Sequence, residues 1–141
     1  MFNKVAFIGL GLIGSSLARV LRANQLAQTI VASSRSPRTL SLALDIGLID
    51  AGYADAAEAV QDADLVVLAM PVCATQSVLA AIKDSLKASV IITDVGSTKG
   101  NVVAAAETVI GVVPARFIPA HPIAGSEQSG VLAGKLDLFD R

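Results

Sequence analysis

Lys4-Val5-Ala6-Phe7-Ile8-Gly9-Leu10-Gly11-Leu12-Ile13-Gly14 is the stretch whose reading decides the fold. Lys4–Ile8 is an apolar run of strand length, and the spacing of Ile13, Leu17, Val20 and Leu21 predicts a helix over Leu12–Ala23. Arg19 and Arg22 fall off its apolar face. Between strand and helix lies G-x-G-x-x-G, in which each glycine has its own role. Gly9 permits a tight turn, Gly11 lets a diphosphate approach the backbone, and Gly14 lets helix and strand pack closely. The helix start, including Leu12 and Ile13, offers free N–H groups and partial positive charge to phosphates. The plainer reading is a turn that serves packing alone; a strand before it and a helix after it favour the dinucleotide.

Working outward, short apolar runs alternate with longer helix-compatible segments. Strands are predicted at Lys4–Ile8, Thr29–Ala32, Asp64–Met70, Ser89–Asp94 and Arg116–Ala120, with little polar alternation, as in parallel strands covered on both faces. Helices are predicted at Leu12–Ala23, Pro37–Ile46, Asp55–Asp62, Cys73–Leu86, Lys99–Ile110 and from about Glu127 to Lys135. Pro37 suits a first helical turn, and Gly47 suits a C-terminal cap. The fold class that follows is α/β: a Rossmann-like doubly wound, mostly parallel sheet flanked by helices. No repeat, low-complexity tract or linker interrupts it, so residues 1–141 are expected to form one dinucleotide-binding domain.

Composition narrows the function classes. Hydrophobic residues make up 53% and charged residues 16%, which argues against a disordered chain. Eleven basic and twelve acidic residues leave a net charge of -1, so nucleic acid is not an expected partner. The longest nearly unbroken apolar run, Leu65 to Ala74, is about ten residues, too short for a membrane span. Three glycines break the N-terminal apolar run and two arginines follow it, which speaks against a secretory leader. With one cysteine, Cys73, neither an internal disulfide nor a multi-cysteine metal site is available; a cytoplasmic location is expected, with no metal.

The second strand's end bears on which dinucleotide binds. An NAD site wants an acidic residue there for the ribose 2′-hydroxyl. Val31-Ala32-Ser33-Ser34-Arg35-Ser36-Pro37-Arg38 has none, and residues 1–44 hold five basic and no acidic side chains. Hydroxyls of Ser33, Ser34 and Ser36 and the guanidinium groups of Arg35 and Arg38 suit a 2′-phosphate, so NADP is expected, with NAD as the alternative. The plain alternative is a solvated loop with capping serines. Met70-Pro71-Val72 ends a strand at the edge where ligands of open α/β sheets sit, and is expected to line the cofactor. Cys73 has no activating neighbour in sequence and reads as a packing residue. Ser97, in Asp94-Val95-Gly96-Ser97-Thr98-Lys99, reads locally as a helix cap. His121, the single histidine, follows a strand directly; beside a nicotinamide it would serve as a base for a substrate hydroxyl. Ser126 and Glu127 suit the cap of the last helix.

Taken together, Gly9–Gly14, Ala69-Met70-Pro71-Val72, Asp94-Val95-Gly96-Ser97-Thr98-Lys99 and His121-Pro122-Ile123-Ala124-Gly125-Ser126-Glu127 resemble the prephenate/arogenate (cyclohexadienyl) dehydrogenase family of tyrosine biosynthesis. The resemblance implies oxidative decarboxylation of prephenate or arogenate. His121 would deprotonate the ring hydroxyl, Ser97 would orient the histidine and the hydroxyl, and Glu127 would belong to a polar network at the site's mouth. It also implies a C-terminal helical domain, for dimerisation and for gripping substrate carboxylates, which this chain lacks. The chain's end at Arg141 reads as a cut. The fragment is therefore expected to bind cofactor with little turnover, and to expose Val131, Leu132, Leu136, Leu138 and Phe139. Two other readings stand beside it: a non-catalytic NADP-binding module, and the cofactor domain of another NADP-dependent dehydrogenase or imine reductase.

Overall fold

The computed structural model describes residues 1–95, 104, 117–118 and 130–138. Six strands form one sheet: β1 (Phe2–Ile8), β2 (Ala27–Ser33), β3 (Ala51–Tyr53), β4 (Leu65–Leu68), β5 (Ile91–Asp94) and β6 (Phe117–Ile118). Their order is β3-β2-β1-β4-β5-β6, and every neighbouring pair is parallel. The order reverses between β1 and β4, the switch point at which such sheets bind ligands. The helices are α1 (Leu12–Ala23), α2 (Pro37–Asp45), α3 (Ala56–Ala59) and α4 (Thr75–Ile82), the last bracketed by 3-10 turns at Val72–Ala74 and Lys83–Ser85.

Burial on both faces explains the unbroken apolar runs. Val5, Phe7, Ile30, Ala32 and Val67 point to a core shared with Ala18 and Leu21 of α1 and Ala43 of α2. Ala6, Ile8, Val31, Val66 and Leu68 point the other way, to Ala59, Leu79 and Ile82 of α3 and α4. A strand enclosed like this has no solvent face on which polar residues would be favoured.

Several boundaries differ from expectation. β3 has no counterpart among the predicted strands. α3 is shorter than Asp55–Asp62: the Asp55 carboxylate accepts the Ala57 N–H as an N-cap, and Asp62 takes a left-handed φ of 60° that ends the turn. The described part of the segment expected as a last helix is a 3-10 turn, Val131–Ala133. Gly130 before it has φ 89°, and Gly134 after it is extended. Val131, expected to be exposed, is buried beneath α1; Leu132 and Leu136 are 60% and 55% exposed. Val131 leaves the surface because the turn lays it on the β1–α1–α2 core. The predicted helix Lys99–Ile110, apart from helical Ala104, and Phe139 lie outside the described residues. Among the described residues no helix is long and apolar enough to cross a membrane.

At the amino edge of the sheet Asp64 joins three strands. Its carboxylate accepts the backbone N–H groups of Asn3 and Lys4 at 2.5 and 3.2 Å and pairs with the Lys87 ammonium. Its main-chain carbonyl accepts Ile91 N–H from β5. The Lys87 ammonium, then the Asn3 N–H, hold the carboxyl below its ordinary pKa. A carboxyl whose folded pKa is depressed stabilises the fold above its unfolded value of about 3.9, and that stabilisation disappears as pH falls through the lower folded value. Asp64→Asn is therefore expected to cost about 1–2 kcal/mol at pH 7. Urea unfolding of both proteins across pH should show the gap closing below about pH 4.

Candidate functional site

The carboxyl ends of β1, β2 and β4 open into one groove of about 700 Å³, within the range of small-molecule sites. Its floor is Ile8-Gly9-Leu10-Gly11. One wall comes from Ser33, Ser34, Arg35 and Thr39; the other comes from Ala69-Met70-Pro71, Cys73, Ala74, Ser77 and Val78. Ala54, Ala56 and Gly130 complete it.

The three motif glycines are required for three distinct reasons. Gly9 has φ 94°, and a Cβ there would lie 2.7 Å from the Ala69 carbonyl oxygen. That backbone contact brings the end of β1 against the end of β4. A Cβ on Gly14 would lie 3.0 Å from the Ala69 Cβ and 3.1 Å from the Gly9 carbonyl oxygen, so Gly14 seats α1 on the sheet. A Cβ on Gly11 would meet nothing within 4 Å. Packing does not require glycine there; open space on the groove floor does. Gly11 is also the N-cap of α1, with no side-chain cap and no acidic residue in the first turn, so the helix start is left to an anion. Ser15 Oγ donates to the Gly11 carbonyl at 2.7 Å and steadies this turn.

The wall from β2 and α2 carries hydroxyls and one guanidinium. Ser33 ends β2, is 5% exposed and lines the groove. Ser34 Oγ accepts Ser36 N–H at 3.1 Å, and Ser36 Oγ caps α2 by accepting Thr39 N–H at 3.2 Å. Arg35 is exposed on the groove. No acidic side chain lines the groove among the described residues, and none lies in the first turn of α2.

The structure thus brings together Gly9, Gly11, Ser33, Ser34, Arg35, Met70 and Pro71. Leu12, Ile13 and Gly14 form the first turn of α1 behind the floor, and Arg38 is exposed on α2 outside the lining. Val72 begins the 3-10 turn after β4. Cys73, expected to be a packing residue, is exposed on that turn and lines the groove, because the chain leaves β4 along the carboxyl edge of the sheet. Thr39, Ser77, Val78 and Gly130 are additions that the motifs do not mark; the Thr39 position three residues after a capping serine is the one available signal. Ser97, His121 and Glu127 lie outside the described residues. No group of metal-ligating side chains occurs among the described residues.

Comparison with known proteins decides the family. Residues 17–141 match the family model described as prephenate dehydrogenase, nucleotide-binding domain. The chain belongs to that family. Its glycine turn precedes the matched span, but relatives of this prephenate dehydrogenase domain align over nearly all of it. Cyclohexadienyl dehydrogenase of Zymomonas mobilis is 41% identical over 99% of the chain, and prephenate dehydrogenase of Lactococcus lactis is 38% identical over 98%. The chain spans 47% and 39% of their lengths. The crystal structure of prephenate dehydrogenase from A. aeolicus, in complex with hydroxyphenyl propionate and NAD+, superposes with a TM-score of 0.88 at 30% identity. That match covers 99% of this chain and 48% of the other.

The two glycines on the floor should separate in stability. Gly9→Ala forces a Cβ onto a carbonyl oxygen at positive φ and is expected to destabilise by about 2–4 kcal/mol. Gly11→Ser meets no neighbour and supplies the missing cap, so its thermal midpoint is expected to match or slightly exceed the wild type. Calorimetry on both variants checks this.

Proposed function

We propose that this chain is the cofactor-binding part of a cytoplasmic, NADP-dependent prephenate or arogenate dehydrogenase of tyrosine biosynthesis, acting by oxidative decarboxylation. The observation that carries the reading is the open space before Gly11, at the switch point of a chain that belongs to this family. Gly9, Gly11 and the start of α1 would hold the diphosphate. Met70 and Pro71 would line the cofactor with apolar surface. Bound there, the nicotinamide supplies a hydride acceptor.

Ser33, Ser34 and Arg35 support NADP: hydroxyls and one guanidinium stand where an NAD site carries a carboxylate. Arg38 would reinforce the positive field from outside the groove. NAD is the second reading, favoured by the NAD+ complex of the A. aeolicus relative. His121 would take the proton of the ring hydroxyl as hydride leaves, Ser97 would orient both, and Glu127 would join the polar network at the mouth. The carboxylates of the substrate need cationic partners from a C-terminal domain that would also dimerise, so this chain alone is expected to bind cofactor but turn over poorly.

Fluorescence titration of NADPH and NADH against the chain tests the cofactor reading. NADPH should bind tighter, and Arg35→Ala should weaken it about tenfold or more while changing NADH less than about twofold. Equal losses would exclude a 2′-phosphate role. In the chain joined to a relative's C-terminal half, His121→Asn should lower turnover by at least about a hundredfold with cofactor affinity nearly unchanged. Undiminished turnover would remove His121 from the chemistry.

A further inference from the structure

Residues 130–135 are held on α1 by contacts to Ser15, Ser16 and Arg19. Val131 is buried, its side chain in the core beneath α1 and α2. Arg19 donates from its guanidinium to the Val131 carbonyl at 3.0 Å. Ser16, itself fully buried, accepts the Lys135 N–H at 2.9 Å. Between these anchors Gly134 lies so close to the helix that a Cβ would stand 2.4 Å from Ser15 Oγ and 2.8 Å from Arg19 Nε. Arg19 Nε is buried with no hydrogen-bond partner among the described residues.

The same segment begins at the groove. Gly130 has φ 89° and lines the groove with Gly9 and Gly11, and a Cβ on it would meet nothing within 4 Å. Gly11 and Gly130 therefore share one feature: neither needs to be glycine for packing against its neighbours, and both bare their backbone to the groove. Ser15, pressed by Gly134, is also the residue whose hydroxyl donates to the Gly11 carbonyl. One set of contacts thus fixes both sides of the space in front of the α1 N-terminus.

We propose that Gly130–Lys135 is a strap that forms the outer wall of the diphosphate seat, with Arg19 and Gly134 as positioning residues for the dinucleotide. This rests on the cofactor reading above. Arg19 holds the strap through Val131, and Gly134 sets the distance between strap and helix; neither lines the groove. The strap acts on the middle of the dinucleotide, whereas the 2′-phosphate wall is built from Ser33 and Arg35 at the end of β2.

The experiment titrates the chain with NADPH and, separately, with adenosine 2′-monophosphate, which carries the 2′-phosphate but no diphosphate. Arg19→Met and Gly134→Ala should each weaken NADPH about tenfold. Adenosine 2′-monophosphate binding should stay within about twofold, and Arg19→Lys, which keeps a donor, should recover most of the loss. Arg35→Ala serves as the reverse control and should weaken both ligands. Wild-type affinity for NADPH in Arg19→Met would overturn the strap while leaving the cofactor reading intact. Equal weakening of both ligands would assign the strap to general stability and overturn its placing role. If Gly134→Ala does not fold, the contrast between Arg19→Met and Arg19→Lys decides alone. Failure of the wild-type chain to bind NADPH or NADH would overturn the cofactor reading, and the strap with it.

Discussion

The approach of Gly9 to the Ala69 carbonyl is the contact on which the rest of the site depends. Parallel strands joined by helices bring their carboxyl ends to one edge, but a groove forms only if the chain leaving β1 turns away sharply beside β4. At Gly9 that turn runs within a Cβ's reach of a neighbouring backbone, at a φ that L side chains avoid. No flexible side chain could yield there, since the opposing atom is a main-chain oxygen. Once the turn is made, Gly14 lets α1 descend onto the sheet and Gly11 is left facing open space. The helix start is thus aimed at the groove by backbone sterics, before any charged residue takes part.

How legible each part is depends on how local its cause is. β1 and α1 are recorded in the nearby pattern of apolar residues and glycines, and α1 ends where that pattern ends. β3 is three residues containing Gly52 and Tyr53, and it exists because β2 offers a free edge, which is information held elsewhere in the chain. The segment after Gly130 reads as helix by its apolar residues, yet positive φ at Gly130 and close contact at Gly134 make it a turn.

The site divides along the same line. The glycine turn and the serine–arginine loop are readable because each is a short motif between a strand and a helix. Thr39, Ser77 and Gly130 reach the groove from separate stretches, so no window of sequence displays them together. Cys73 is exposed although it reads as a packing residue, because its neighbours in sequence say nothing of the direction in which the chain leaves β4. Ser97, His121 and Glu127 rest on the sequence motifs and on family membership.

The Asp64 cluster and the groove occupy opposite edges of one sheet, separated by the length of the strands. Ionic stitching is concentrated at one edge, and bare main chain with unspent helix polarity at the other. Acid or salt that loosens the first edge acts on Asp64 and Lys87, neither of which lines the groove, so stability and groove lining can drift under separate selective pressures. A lineage could retune its thermal tolerance around Asp64 and Lys87 without altering the residues that line the groove.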